Sequence, residues 1–452
     1  MMRFHVLACD YDGTLATDGR VDSETLAALE ALRASGRRLV MVTGRRLEEL
    51  LQVFPPIRLF DLIVAENGAL LFHPDTGKEE LFAEPPPRSF VEALVQRGVK
   101  PLETGRAIVA TWKPHETTVL ATIRDMGLGL QIILNKGAVM VLPADVSKAT
   151  GLAHAVRRLG YSLHNTVGVG DAENDHALLA SCACGAAVAN SVPALKERAD
   201  IVLRGDHGRG VCELIHKLLE LDLADFSKRL SRPPIQLGTS TDGSAVSIPT
   251  YGWNVLIRSP RAHALVDVVR LFIQKLSGLK YQWCAITDGD CQLSVPEAVM
   301  LGTEARAPTT VELRHALEDP RQRLILNCAY LNALDRRSFL TGALTEFLEQ
   351  RRRRGRPHWM IWVSNDKLLH DLPPPFAELG PGQILASTAD ATQLVGQLAQ
   401  PYVHFVDACT RTVAGQVLVD ARPADGTIQD WMFEQTDNAV RFDRRVDAPW
   451  GE

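Results

Sequence analysis

The chain has 452 residues, of which 46% are hydrophobic and 23% are charged, and its formal net charge is −5. This length exceeds that of one ordinary domain, so we expect two or three domains of a soluble globular protein. The acidic balance argues against a protein that binds nucleic acid over most of its surface, although a local basic patch is compatible with it.

The beginning of the chain leads directly into an apolar strand and has neither the charged nor the apolar region of a secretion signal. No apolar run approaches the roughly 20 residues that span a bilayer. The eight cysteines include no CxxC pair, so reduced and mostly buried thiols are expected. We therefore expect a cytoplasmic protein.

Short apolar runs alternate with amphipathic segments through the first 83 residues. The runs at 6–8, 38–42 and 62–65 predict buried strands, and helices are predicted from Asp22 to Gly36 and over 47–53. This alternation predicts a parallel, Rossmann-like sheet with right-handed crossovers.

The alternation stops at Pro85-Pro86-Pro87. Between residues 84 and 143 the sequence predicts a small α+β insertion. Helices are predicted over 89–97 and 116–126. Strands are predicted over 106–112, 130–134 and 138–142. Strand–helix alternation resumes at Lys148 and continues to residue 222. The insertion therefore interrupts one domain, which comprises residues 1–83 and 144–222.

Two carboxylates follow the first predicted strand, in Cys9-Asp10-Tyr11-Asp12-Gly13-Thr14-Leu15. Burying two neighbouring anions is costly unless a cation or proton compensates them, so this pair is either exposed or used chemically. In open α/β sheets, ligands bind at the carboxyl ends of strands. Three more polar segments follow at predicted strand ends or helix starts: Thr43-Gly44-Arg45, Asp145-Val146-Ser147-Lys148-Ala149 and Gly170-Asp171-Ala172-Glu173-Asn174-Asp175.

Through these four segments the chain resembles the haloacid dehalogenase (HAD) superfamily over residues 1–222. The insertion lies between the second and third segments, as the cap does in Cof-type (subclass IIB) members, and its small size is similar to that of phosphoglycolate and sucrose-phosphate phosphatases. Each segment alone is compatible with a turn or an ordinary helix start, but four in family order argue against coincidence. The resemblance implies an α/β fold with a Rossmann-like core and a cap.

The resemblance implies a phosphatase with Asp10 as the nucleophile and Asp12 as the general acid and base. Thr43 and the Gly44 N–H would bind the phosphoryl group, and Lys148 would neutralise charge as it develops on the nucleophile and the phosphate. P-type ATPases, which keep their phosphoenzyme, resemble the first segment but lack the second aspartate. The presence of Asp12 therefore favours hydrolysis.

The resemblance also implies a Mg²⁺ site, because this ion prefers oxygen ligands. Asp171 would bind the metal together with the Asp10 carboxylate and the Asp12 main-chain carbonyl. Asp175 would orient either a metal-bound water or Lys148.

Three asparagines and several cap residues are further candidates. Asn174 would reach a phosphate oxygen, whereas Asn67 and Asn190 fit family positions near the site but are equally compatible with helix-cap or turn roles. The cap residues that could contact the leaving group are Arg106, Trp112, Lys113, His115, Asn135 and Lys136. For each of them a surface or cap-core position is the ordinary alternative. A short cap favours a small substrate, such as a sugar phosphate or phosphoglycolate.

The second half of the chain is predicted to form a separate domain. Residues 223–234 are predicted to be a linker, and residues 235–452 are predicted to form a second α/β domain. Over residues 235–420 this domain resembles a P-loop ATPase of the HerA/FtsK type.

The resemblance does not extend to the residues that would bind and hydrolyse a nucleotide. The loop from Ser259 to Val266 contains no glycine, and Leu265 and Val266 stand where the family has Lys and Ser. Ser364-Asn365 replaces its acidic pair. We therefore expect a degenerate P-loop domain that serves interaction or homo-oligomerisation and does not hydrolyse nucleotides.

An arginine run comprises Arg351 to Arg354 and Arg356. We expect it to end a helix near Leu348 and to face solvent, with contact to a polyanion as the alternative. The polar sequence after about Asp425 predicts a poorly ordered tail.

The expected function is Mg²⁺-dependent hydrolysis of a small phosphomonoester through an aspartyl-phosphate on Asp10. A phosphosugar mutase and a non-catalytic phospholigand sensor or scaffold are the alternatives. Asp12 and Lys148 argue against a pure binder, which has no use for an acid–base group so placed. The expected partners are a small phosphorylated metabolite and, through the C-terminal domain, a second copy or another protein; neither a membrane nor nucleic acid is expected.

Overall fold

The computed structural model of the chain consists of two units, Met2–Ser231 and Arg232–Glu452. The structure describes residues 2–226, 230, 234–240, 245–248, 250–259, 262–288, 293–364, 368, 371–388, 402–413, 416–423 and 440–442. No helix among these residues is long and apolar enough to cross a membrane.

The N-terminal unit is organised around one large sheet and one small sheet. Its strands are β1 (Val6–Cys9), β2 (Arg38–Val42), β3 (Leu62–Ala65), β4 (Leu70–His73), β5 (Lys78–Leu81), β6 (Glu103–Thr104), β7 (Val109–Trp112), β8 (Leu130–Asn135), β9 (Ala138–Pro143), β10 (Thr166–Gly170), β11 (Cys184–Ala187) and β12 (Ile201–Val202). Its helices are α1 (Ser23–Ala34), α2 (Leu47–Val53), α3 (Arg88–Gln96), α4 (Glu116–Asp125), α5 (Lys148–Arg158), α6 (His176–Ser181), α7 (Pro193–Arg198) and α8 (His207–Leu221).

The large sheet has the order β12-β11-β10-β1-β2-β3-β4-β5. Its strands from β12 to β3 are parallel, which confirms the predicted Rossmann-like α/β sheet. The edge hairpin β4–β5 is antiparallel to it and was not predicted. The sequence of β5, Lys-Glu-Glu-Leu, is polar and lacks the apolar run on which strand prediction depends.

Helices cover both faces of the large sheet. Successive residues of β1 point to opposite faces: Leu7 and Cys9 pack with α1, α2 and α8, whereas Val6 and Ala8 pack with α5, α6 and α7. Because both faces are buried, these strands appear in the sequence as continuous apolar runs. The carboxyl edge of the sheet is thereby left as the place where polar side chains can gather.

The insertion forms the small antiparallel sheet, in the order β6-β7-β9-β8, with α3 and α4 packed on one face. Its other face presents Met140 and Leu142, which cluster with Ala69 and Val146. The predicted strand over 106–112 was wrong at its beginning. Residues before β7 form a loop instead, because their N–H groups are bonded to a side chain described below rather than to a strand.

Gly68 and Ser147 make a close contact between the end of β3 and the start of α5. Gly68 has φ +110°, and a Cβ there would lie 1.9 Å from the Ser147 main-chain oxygen. Only glycine fits both this conformation and this space. The contact matters for the site because Lys148 is the next residue after Ser147.

Replacing Gly68 with Ala is therefore expected to lower the free energy of unfolding by about 3 kcal/mol or more, since positive-φ strain and a backbone clash add. Gly77, with φ +69° and no atom within 4 Å of the place that a Cβ would take, is the matched control. Gly77→Ala makes the same change at a positive φ without the clash. It should therefore lower the free energy of unfolding by only about 1 kcal/mol. Equal losses in urea unfolding of the two variants would contradict the close-contact explanation.

The C-terminal unit is built around an eleven-stranded sheet. Its strands are β13 (Ile235–Ser240), β14 (Ala245–Ile248), β15 (Asn254–Arg258), β16 (Trp283–Thr287), β17 (Val299–Leu301), β18 (Leu324–Asn327), β19 (Trp359–Ser364), β20 (Gln383–Ser387), β21 (Tyr402–Val413), β22 (Gln416–Pro423) and β23 (Val440–Phe442). Its helices are α9 (Ala262–Gly278), α10 (Thr310–Glu318) and α11 (Ala333–Arg354). The order is β14-β13-β23-β22-β21-β15-β20-β19-β16-β18-β17.

The strands from β21 to β17 in that order are parallel, so the second half is also an α/β structure. Leu265 and Val266, which the sequence comparison set against the Lys and Ser of a P-loop, are buried in the core of this unit. Asn365 and most of the predicted tail lie outside the described residues, as does much of the predicted linker.

The arginine run was predicted wrongly in two respects. Helix α11 continues to Arg354, past the predicted end near Leu348, and Arg351 and Arg356 are buried rather than solvated. Arg351 donates to the main-chain oxygens of Pro357, His358, Leu379, Pro381 and Gly382. These two guanidinium groups thus fix loops inside the unit and are not part of a basic surface patch.

Candidate active site

Four neighbouring strands of the large sheet end in polar residues. Asp10 follows β1, Thr43 follows β2, Glu66 follows β3 and Asp171 follows β10. Since β10, β1, β2 and β3 are adjacent and parallel, all four residues lie at the same edge of the sheet.

Lys148 links two of the predicted aspartates. Its Nζ lies 2.6 Å from the Asp10 Oδ1 and 2.7 Å from the Asp175 Oδ1. The lysine side chain is only 2% exposed, so the ammonium is inside the protein and not a solvated group at a helix start. The structure therefore brings together residues from the first, third and fourth segments.

Thr14 joins Asp10 to Asp171. Its Oγ1 lies 3.0 Å from the Asp10 Oδ2 and 3.1 Å from the Asp171 Oδ1. A hydroxyl has a single proton to donate, so it can satisfy only one of the two carboxylates at a time. The two oxygens thus converge on a place that favours an additional positive charge.

Asp175 holds the loop after β10. Its Oδ2 accepts hydrogen bonds from the N–H groups of Asp171 (2.9 Å) and Ala172 (3.0 Å), while its Oδ1 is bonded to Lys148. This residue therefore orients Lys148 and the Asp171 backbone at the same time.

The three carboxylates of Asp10, Asp171 and Asp175 are buried, and each offers an oxygen within 4.8 Å of the others. Burial, and secondarily the Asp175 charge, raise the pKa of Asp10 to about 8 even though Lys148 opposes the shift. Burial disfavours the Lys148 ammonium, but Asp10 and Asp175 more than offset this and raise its pKa. A buried group of hard oxygen donors with surplus negative charge is suited to a divalent cation.

Asp12 lies outside this buried group, at the rim. Its carboxylate accepts two hydrogen bonds from Arg45, 2.7 Å from Nε and 2.6 Å from Nη2, and its side chain is 42% exposed. The Arg45 guanidinium also lies over the Tyr11 ring, at 5.6 Å from its centroid. The pair is accessible to a molecule that enters the site.

The asparagines form two separate contacts near the site. Asn174 donates to the Asn67 Oδ1 at 3.0 Å, and a Cβ on Gly44 would lie 3.3 Å from that same oxygen. Asn67 also contacts the Met140 sulfur of the cap at 2.8 Å. Asn190 instead donates to the Gly13 oxygen and accepts from the His207 N–H, so it links the segment after β1 to the start of α8.

Among the cap candidates, Lys136 reaches the buried Asp171 carboxylate. Its Nζ lies 2.6 Å from the Asp171 Oδ2. Arg106 is paired with Glu48 and Glu79, and His115 is bonded to the Lys100 backbone. Trp112 and Lys113 are exposed, and Asn135 is partly buried.

Sequence reasoning assigned no role to Thr14, Arg45 or Glu66. Thr14 lies in the first of the four polar segments and Arg45 in the second, and this membership is the sequence signal that could have indicated them. Glu66 is fully buried, and its carboxylate accepts three N–H bonds from the cap loop, from Arg106 (2.8 Å), Ala107 (2.8 Å) and Ile108 (3.1 Å). It anchors the cap to the carboxyl end of β3.

Glu66→Gln is expected to loosen this anchor, because an amide has one acceptor oxygen in place of two and leaves a buried N–H unsatisfied. The expected loss is about 1–3 kcal/mol of local stability. Hydrogen exchange at residues 106–108 should accelerate accordingly. Glu79→Gln, which removes the other carboxylate near Arg106, should leave the exchange of Ala107 and Ile108 unchanged; the same acceleration in both variants would argue against the anchor.

Comparison with known proteins gives matches to the first half of the chain. A family model described as haloacid dehalogenase-like hydrolase matches residues 7–100 and 132–215. A phosphoglycolate phosphatase of Pyrobaculum aerophilum is 32% identical over 225 residues, which cover 48% of this chain and 97% of that protein. A phosphoglycolate phosphatase of Pyrobaculum islandicum is 30% identical over 235 residues, covering 49% of this chain and 98% of that protein.

Solved structures are similar over the same extent. A subclass IIB sugar phosphatase of the HAD superfamily is 22% identical to this chain, with a TM-score of 0.41. The match covers 47% of this chain and 98% of the sugar phosphatase chain. These relatives thus correspond to about half of the present chain.

Proposed function

The chain belongs, through its N-terminal half, to the haloacid dehalogenase-like hydrolase family and is a phosphatase of that type, and from this premise we propose that it hydrolyses a small phosphomonoester through an aspartyl-phosphate on Asp10. The observation that carries the proposal is the contact of Lys148 with both Asp10 and Asp175 inside the protein. An ammonium fixed against a carboxylate favours attack of that carboxylate on an anionic ester, because it neutralises charge that both partners bring.

The proposed reaction has two steps. An Asp10 oxygen forms a bond to phosphorus while the ester P–O bond breaks, and Asp12 gives its proton to the departing alkoxide. Asp12 then takes a proton from water as the water oxygen bonds to phosphorus and the Asp10–phosphorus bond breaks, which releases phosphate and regenerates the carboxylate. The exposure of Asp12 at the rim supports this role, since its carboxyl group can exchange Arg45 for a leaving-group oxygen.

We assign the phosphoryl contacts to Thr43, the Gly44 N–H, Asn67 and Asn174. Thr43 and Gly44 follow β2, the strand next to the one that carries Asp10. The bond between Asn174 and Asn67 supports their assignment to one group.

Mg²⁺ is the proposed cofactor. The carboxylates of Asp10 and Asp171 and the main-chain carbonyl of Asp12 would hold it, and Asp175 would support them, because both Asp175 oxygens already accept hydrogen bonds. When bound, such an ion supplies positive charge for the phosphoryl oxygens and for the buried carboxylates. The convergence of an Asp10 and an Asp171 oxygen on the single hydroxyl proton of Thr14 supports this assignment.

The proposed substrate is a small phosphorylated metabolite of the cytoplasm, such as a sugar phosphate or phosphoglycolate. The names of the relatives and the limited size of the cap support this class.

We further propose that the C-terminal unit is a degenerate P-loop-type domain that serves homo-oligomerisation or binding of a protein partner. Its parallel α/β sheet and the burial of Leu265 and Val266 support this view, since neither side chain can contact a nucleotide from the core.

The test is phosphate release by the purified full chain from para-nitrophenyl phosphate, phosphoglycolate and hexose phosphates, with Mg²⁺ or with EDTA. Release that depends on Mg²⁺ is expected. A requirement for a bisphosphate activator would identify a phosphosugar mutase instead, and tight binding without release would identify a phospholigand sensor or scaffold.

A further inference from the structure

Lys136 is held in an unusual backbone conformation at the tip of a cap hairpin. Asn135 pairs with Ala138, so Lys136 and Gly137 form the two-residue turn between β8 and β9. Their φ angles are +46° and +93°, as in a type I′ turn. Such a conformation is unfavourable for lysine, and Asn or Gly would form this turn more easily. The strain at this position points to a role for the Lys136 side chain.

The turn is fixed by its neighbours. The Lys113 N–H donates to the Gly137 oxygen at 3.0 Å, and a Cβ on Gly137 would lie 3.9 Å from the Trp112 ring. The backbone from which the Lys136 side chain extends is thus part of a hydrogen-bonded hairpin.

The Lys136 ammonium lies beside the segments that follow β10 and β1. It is 2.6 Å from the Asp171 Oδ2, and a Cβ added to Gly13 would also lie 2.6 Å from it. The side chain is 50% exposed, in contrast to the 2% of Lys148. Lys148 is therefore a cation inside the site, whereas Lys136, like Arg45, is a cation at its mouth, and Lys136 comes from the cap.

Each aspartate carboxylate of the described site contacts a cation, and one of the three cations is shared by two carboxylates. Lys148 contacts Asp10 and Asp175, Arg45 contacts Asp12, and Lys136 contacts Asp171. If Asp171 serves as a metal ligand, as assigned above, it is neutralised from its other side, and the Lys136 ammonium becomes available to another anion. Its present partner is a carboxylate, so the geometry around Nζ already accommodates that group.

We propose that Lys136 determines substrate specificity by binding a carboxylate on the leaving group of the phosphomonoester. The inference rests on the proposed phosphatase function and adds to it the class of substrate: a short phosphorylated hydroxy acid. The phosphoryl group has Lys148 from within the core, whereas Lys136 comes from the cap at the mouth, where the rest of the ester must lie.

The experiment compares two esters of similar size on the full chain at saturating Mg²⁺: phosphoglycolate, with a carboxylate in the leaving group, and 2-hydroxyethyl phosphate, without one. Lys136→Met should lower kcat/KM for phosphoglycolate by about ten- to a hundredfold, as expected for a lost charge-assisted contact, and change the neutral ester little. Lys136→Arg should retain much of the preference for phosphoglycolate over 2-hydroxyethyl phosphate. Lys136→Glu should make the neutral ester the better substrate.

Arg97→Met is the matched control. This residue is also a cap cation, but it pairs with Asp125 at the protein surface, so its removal should not alter the ratio of the two kcat/KM values. The inference is overturned if Lys136→Met lowers kcat/KM equally for both esters or lowers it for neither.

The two proposals fail in different ways. If the wild-type chain releases no phosphate from any ester, the proposed function fails. The specificity inference is then decided by calorimetric binding of phosphoglycolate to Asp10→Asn with and without Lys136→Met: weaker binding in the double variant supports it, and equal binding overturns it.

Discussion

Replacing Asp10 with Asn is expected to lower kcat for phosphate-ester hydrolysis at least about a thousandfold, because the amide cannot act as the nucleophile. The same change should not destabilise the protein. Asn preserves the shape of the side chain, and the buried carboxylate that it removes is held unfavourably, as the raised pKa of about 8 indicates. The melting temperature without added metal should therefore be at least that of the wild type, while phosphate release is lost.

Asp18→Asn is the matched control for this experiment. It makes the same chemical change eight residues later, at an exposed position with φ +50° that Asn tolerates well. Its activity should remain at the wild-type level. Substantial turnover by Asp10→Asn in the same assay would rule out the aspartyl-phosphate mechanism.

Replacing Asp171 with Ala is expected to abolish the thermal stabilisation that Mg²⁺ gives to the wild-type chain. A ligand present at a hundred times its Kd stabilises the folded state by about 2.7 kcal/mol, which corresponds to roughly 5–10 °C for a unit of this size. Without the Asp171 carboxylate, half of the assigned pair of metal-binding carboxylates is missing. Isothermal titration of Mg²⁺ should accordingly give heat with the wild type and none with the variant at the same concentrations.

Glu173→Ala is the control for the metal experiment. Glu173 is an exposed carboxylate in the same turn, two residues from Asp171, and its removal should leave the Mg²⁺ response intact. If Mg²⁺ raises the melting temperature of Asp171→Ala as much as that of the wild type, the assigned ligands are wrong.

The sequence predicted well those parts of the fold that depend on local pattern. Strand β2 and helix α2 begin and end where the apolar run and the amphipathic segment do. The polar strand β5 was missed because it is defined by pairing with β4 and not by its own residues. Its neighbours along the chain carry no signal of that pairing.

The grouping of Asp10, Lys148, Asp171 and Asp175 was expected from the order of the segments, and the structure brings these side chains together; their catalytic roles stay predictions. The contact of Lys136 with Asp171 joins residues 35 positions apart and depends on a left-handed turn, so no spacing rule indicates it. Arg351 was misjudged for a related reason: a run of arginines indicates solvent, but here loop carbonyls from residues 357–382 surround one member of the run.

The contacts of Asp175 have a consequence for how the site can change. One carboxylate orients the Lys148 ammonium and, through two N–H groups, the loop that begins at Asp171. Substitutions at Lys148 and Asp171 are therefore not thermodynamically independent, although the residues are 23 positions apart. A substitution at either position changes the hydrogen bonds that Asp175 can give the other. We therefore expect substitutions at positions 148 and 171 to occur together among related sequences.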